Sequence, residues 1–138
     1  MKIRLDDVMQ SVSYPIHASY YYYIPLETVL MFVNGAIYGK SVNGISSEKD
    51  VLQHQDEFLR LPAIGEEGRE KVMMSFISSL GDEAVRMRLR EAAEKGIEYF
   101  DSILTEERLL IRWINFRDDI YMEFSRRWSR DNGLELIE

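Results

Sequence analysis

Apolar and polar positions change their spacing twice along this chain. Ile3, Leu5, Val8 and Met9 recur as on a short helix, with Asp6 and Asp7 where the positive end of its dipole favours carboxylates. Pro15 would end it. Residues 18–24, carrying Tyr20, Tyr21, Tyr22 and Tyr23, and residues 28–33 are aromatic and β-branched runs that predict two strands. Pro25, Leu26 and Glu27 separate them at hairpin spacing. Asn34-Gly35 signals a turn, and Gly39, Asn43 and Gly44 mark a flexible stretch reaching about residue 47. Ser47, with Asp50 three residues on, predicts the start of a short helix to about residue 55, because its side chain can accept from a free backbone N–H. Phe58, Leu59, Arg60 and Leu61 read as a third strand closed by Pro62.

After Gly65 the spacing becomes helical. Val72, Met73, Phe76, Ile77 and Leu80 form one stripe, and Gly81 is expected to end it in the left-handed conformation. A second helix spans 82–95, with Val85, Leu89 and Ala92 or Ala93 inward, and Gly96 should end it in the same way. A short third helix follows over 98–104. Thr105 is expected to cap the longest helix, whose inner stripe reads Leu109, Trp113, Phe116, Ile120 and Phe124. Asn132-Gly133 stops that helix, and residues 134–137 are either a fourth strand or a frayed end.

These elements predict an α+β protein: a small antiparallel sheet, made of an N-terminal hairpin plus a third strand, packed against a C-terminal layer of about four helices. At 138 residues it reads as a single domain, with a mixed part over 1–62 and a helical part over 66–132. A chain of this size can bury a core without staples, and with no cysteine it has none of the disulfide kind. The same lack excludes thiolate-held zinc, iron–sulfur clusters and a cysteine nucleophile. No signal-peptide pattern follows Lys2 and Arg4, and no apolar run reaches the length of a membrane span, so a cytoplasmic protein is expected.

Charge narrows the functional classes. The formal net charge of −7 opposes non-specific binding to nucleic acid or to an anionic membrane. Arginines do cluster in the second half, but from Asp82 onward 14 acidic side chains face 10 basic ones. Pairs such as Glu83 with Arg86 and Arg90 with Glu94 therefore read as a solvated helix surface. Arg126, Arg127 and Arg130 sit where a helix C-terminus favours cations. The chain lacks a P-loop, a dinucleotide GxGxxG and an HExxH motif.

Candidate chemistry is sparse. His17 and His54 are the only histidines and have no partner at ligand spacing, so neither metal nor cofactor is expected and both read as ordinary surface or half-buried residues. The acidic pairs Asp6-Asp7, Glu66-Glu67 and Glu106-Glu107 are assigned to helix starts. Asp118-Asp119 falls within a helix, where Asp118 would form a salt bridge to the arginines of 82–95. Arg112, Arg117 and Asp118 make up an alternative polar groove between helices, suited to a small enzyme or to a nucleotide or nucleic-acid binder.

The tyrosine run is the most informative feature. Alternation places Tyr20 and Tyr22 on one face of the strand and Tyr21 and Tyr23 on the other, so both faces are aromatic. One face can cover the helical layer. The other is either a contact surface for an unknown protein partner, most simply a second copy in a homodimer, or lies under residues 34–47 folded back as a lid. The reading favours the partner, and with it a non-enzymatic interaction or regulatory domain.

The residues Lys2 to Val8, the tyrosine-bearing hairpin from Tyr21 to Val29, and Phe58 with Leu61-Pro62 are carried in a recognisable order. Met73, Met74, Phe76 and Ile77 follow, and Trp113, Phe116-Arg117, Trp128 and Asn132-Gly133 close the chain. In this order the sequence resembles uncharacterised protein family 0158, a bacterial group with no assigned activity. It departs from that pattern at Ala93, Glu94, Lys95 and Gly96, which keep a single glycine where a glycine-rich turn with a phenylalanine is expected, and so resembles a divergent member. The resemblance implies neither a cofactor nor a catalytic residue.

Overall fold

A computed structural model describes residues 1–13 and 16–138, which leaves the stop expected at Pro15 outside the described residues. The architecture is α+β. Two compact units are formed, Met1–Ile64 together with Met122–Glu138, and Gly65–Tyr121. The first unit begins with β1 (Lys2–Arg4), continuous with α1 (Leu5–Val12). The helix spacing read from residue 3 therefore starts two residues later, and Ile3 is buried from a strand instead.

The hairpin forms as expected. β2 (Ala18–Tyr23) and β3 (Thr28–Val33) pair antiparallel with Tyr21 opposite Leu30 and Tyr23 opposite Thr28. A single 3-10 turn and Glu27, at φ 46°, reverse the chain between them. Asn34 and Gly35 follow at φ 50° and 87°, the two positive values a tight primed turn requires, and lead into β4 (Ala36–Ile37), too short for a sequence pattern to reveal. β5 (Phe58–Arg60) adds to the other side of β2, giving the order β4-β3-β2-β5.

Between β4 and β5 lies α2 (Glu48–Gln53), begun by Ser47 as expected. The Asp50 carboxylate accepts from the backbone N–H of Ser46 at 2.8 Å and of Ser47 at 3.1 Å. These bonds, that of Ser46 first, hold its carboxyl below the ordinary aspartate range. A depressed carboxylate stabilises the fold above its ordinary range, and the contribution is lost as pH falls through the folded value. The Ser46 and Ser47 amide resonances are therefore expected to titrate together in acid, with a midpoint below that of an ordinary aspartate. A midpoint at or above the ordinary value would refute this cap.

The chain's last segment belongs to the first unit. After α6 (Leu110–Asp131), Gly133 at φ 70° donates to Arg130 O and Leu134 donates to Ser129 O, which together make a Schellman stop. β6 (Glu135–Ile137) then pairs with β1 in parallel, Ile3 opposite Leu136. The tail is thus a strand, in a sheet separate from the hairpin's.

The second unit contains α3 (Gly65–Ser78), α4 (Glu83–Lys95), α5 (Ile97–Glu106) and the first part of α6. Three stop and start signals differ from expectation. Gly81 does not take positive φ. Instead, the Arg86 guanidinium donates to Leu80 O at 2.5 Å, so a side chain satisfies the carbonyl that a left-handed glycine would otherwise help to serve. Gly96 has positive φ but an extended ψ, at 134° and 168°, and joins α4 directly to α5. Thr105 lies inside α5, where its hydroxyl donates back to Asp101 O, and Arg108 at φ 60° makes the reversal before α6. The helix expected from residue 82 starts one residue later, with Asp82 as its cap, accepting from the Ala84 and Val85 amides.

The inner face of α6 is also rotated from the expected stripe. Trp113, Tyr121, Ser125 and Ser129 are buried, while Phe124 is 36% exposed. Two of the four are serines, which a hydrophobic pattern does not count. Ser125 packs in the first unit with its hydroxyl 3.4 Å from the Met9 sulfur.

Candidate functional site

The structure settles where the four tyrosines point. Tyr20, Tyr21, Tyr22 and Tyr23 are all buried. Tyr21 and Tyr23 join Leu30, Phe32, Phe58, Ile45 and Val51 in one cluster, with Ile37 and Val42 packed on it. Tyr23 stacks on Phe58 at 4.9 Å between ring centroids, and Tyr21 meets Phe32 edge-on at 5.5 Å. The hydroxyls find partners in the covering segment: Tyr21 donates to Glu48 Oε2 at 2.7 Å, and Asn43 donates to Tyr23 Oη at 3.3 Å. Burial, followed by that bond, raises the Tyr21 phenol to about 12, so it stays a donor. On the opposite face Tyr22 donates to Lys2 O at 2.9 Å, while burial and then Asp7 raise the pKa of Tyr20. The aromatic face expected to meet a partner is therefore covered by its own chain. Residues 36–51 carry enough apolar side chains, despite their glycines, to serve as the lid.

The alternative residues Arg112, Arg117 and Asp118 do not converge. Arg117 pairs with its neighbour Asp118, from both Nε and Nη2 at 3.1 Å, so Asp118 is held on its own helix and not by the arginines of α4. Arg112 is exposed. Arg117 acts instead with Arg69 on two groups of the helical unit. Burial pushes the Asp101 carboxyl up while Arg117 and Arg69 pull it down, and burial raises Tyr121 against the same two cations. Asp101 and Tyr121 thus both lie in the field of Arg69 and Arg117.

Other expected pairs are rearranged. Glu83 binds Arg86, as expected, but Arg90 also reaches Glu83, at 3.7 Å. Arg88 forks across to Glu106, at 2.5 Å, and to Glu107, so this acidic pair closes the end of α5 and does not open a helix. Asp6, Asp7, Glu66 and Glu67 do lie in first turns. His17 is exposed, and His54 lies 4.0 Å from Glu57 at the end of α2. Among the described residues no group of three His, Cys, Asp or Glu is placed to hold a metal, and no helix is long and apolar enough to cross a membrane.

A groove of about 800 Å³ lies in the helical unit, between α3 and the α4–α5 junction. Met73, Met74, Ala93 and Ile97 supply its apolar lining, and Glu66, Glu67, Glu70, Glu94, Arg69, Lys71 and Lys95 its charge. Met74 is 42% exposed and Ile97 36%. Met73 was legible as a core position. Met74 and Ile97 were not singled out as a site, and the available signal was that each is apolar but lies off its helix's buried stripe.

The fold places the protein in the α+β class, with an open groove in its helical unit. No protein-family model, curated protein or solved structure matches the chain.

Proposed function

We propose that this protein is a non-enzymatic interaction domain that takes an apolar segment of a protein partner into the groove between α3 and the α4–α5 junction. The observation that carries the reading is the apolar floor of that groove, where Met74 and Ile97 stay accessible beside buried Met73. Methionine suits such a surface, because its unbranched, polarisable side chain adapts to differently shaped partners. Kinship with uncharacterised protein family 0158 is part of this proposal and assigns no chemistry. The Arg117–Asp118 pair supports a local surface role for these two alternative residues, since each already holds the other on its own helix.

The test places a photo-crosslinking side chain at position 74, in living cells, and separately at position 111, which is exposed and outside the groove. A discrete adduct is expected from position 74 alone, and Ile97→Asp should abolish it. Equal adducts from both positions, or none from position 74, would overturn the reading.

A further inference from the structure

The groove's charge identifies the kind of segment it takes. Its seven ionisable lining residues are four glutamates and three cations, but the cations are unequally available. Lys71 lies 3.4 Å from Glu67, one helical turn away. Arg69 is half-buried. Among the described residues no ion pair engages Glu66, Glu70 or Glu94, so three of the four lining carboxylates are without a cation within ion-pair distance. Glu66 and Glu70 are one turn apart on α3 and continue at the same spacing to Met73 and Met74, so acid and apolar surface run side by side along one helix face.

We infer that the occupant is a cationic amphipathic helix, its apolar face laid on Met74 and Ile97, above buried Met73, and its lysines or arginines opposite Glu66, Glu70 and Glu94. The inference rests on the proposed reading of the groove and adds the partner's chemistry to it. An apolar stripe on a helix is the shape an open groove between helices accepts, and opposed potentials select the partner and its orientation. The acidic balance of the whole chain, −7, favours approach of the same partner.

The test uses three synthetic helical peptides of about five turns with one shared leucine face and a polar face of Lys, Gln or Glu. Each is titrated into the protein while the methionine methyl and Ile97 resonances are followed. The lysine peptide is expected to shift Met73, Met74 and Ile97 and to bind about tenfold more tightly than the glutamine peptide. That preference should shrink in salt and disappear in a Glu66→Gln, Glu70→Gln, Glu94→Gln variant whose circular dichroism is unchanged. If the lysine and glutamine peptides bind the groove equally, or the glutamate peptide binds best, the inference on charge fails and the groove remains a binding surface. If no peptide moves these resonances, the reading of the groove fails and the inference falls with it.

Discussion

Replacing Trp113 with alanine is expected to remove most of the stability of the helical unit. Trp113 is 2% exposed and meets Phe76 and Phe100 edge-on, each at 5.3 Å between ring centroids, so one side chain ties α6 to α3 and α5. Phe76 in turn touches Phe116, also at 5.3 Å. Truncation would leave a cavity bounded by aromatic faces that cannot collapse without moving a helix, at a cost of about 3–5 kcal/mol. Small domains are stable by only about 5–15 kcal/mol in total. Urea unfolding followed by far-UV circular dichroism measures the loss, and the remaining Trp128 reports on the first unit by fluorescence. Ile111→Ala, on the exposed side of the same helix, should change stability by less than about 0.5 kcal/mol. An alanine variant at 113 that unfolded like wild type would show that the aromatic cluster does not hold the unit together.

The double substitution Tyr21→Ser with Tyr23→Ser is expected to unfold the first unit, with no role in separating subunits. Both rings are buried in the cluster that residues 36–51 cover, and both contact Phe58. Each loss costs about 3 kcal/mol or more. Because the two share a neighbour, the combined effect should differ from the sum. The Tyr21 hydroxyl also leaves Glu48 without its donor at the start of α2, so the cover loosens with the core beneath it. Circular dichroism and amide exchange of residues 36–51 measure this. A folded double variant whose only change was a smaller particle in light scattering would return these tyrosines to an intermolecular contact.

Much of the local structure was legible because it depends on neighbours in the chain. The hairpin over residues 18–33, the Asn34-Gly35 turn, the helix start at Ser47 and Asp50 and the stop at Asn132-Gly133 each rest on side chains acting within a few residues of themselves. Thr105 misled for the same local reason. It is a good capping residue, but Arg88 draws Glu106 and Glu107 to the end of α5, and the helix it was expected to start begins later. Of the candidate site residues, the tyrosines were recognised as an aromatic surface, yet nothing in their alternation says which element covers each face.

What the chain's own pattern determined, then, is the α+β class and the order of its main elements, since period and turn chemistry are properties of short segments. Tertiary structure decided what was buried and by what. It joined β1 to β6 from opposite ends of the sequence, and returned residues 122–138 to the first unit. It also turned the face of α6 toward Ser125 and Ser129, and laid residues 36–51 over Tyr21 and Tyr23. The physical reason is common to all four: burial is set by the surface a distant segment brings, and a small serine or a short glycine-bearing loop can fill that surface without any periodic signal. The groove with Met74 and Ile97 exists for the same reason, as a space left where α3 meets the junction of α4 and α5.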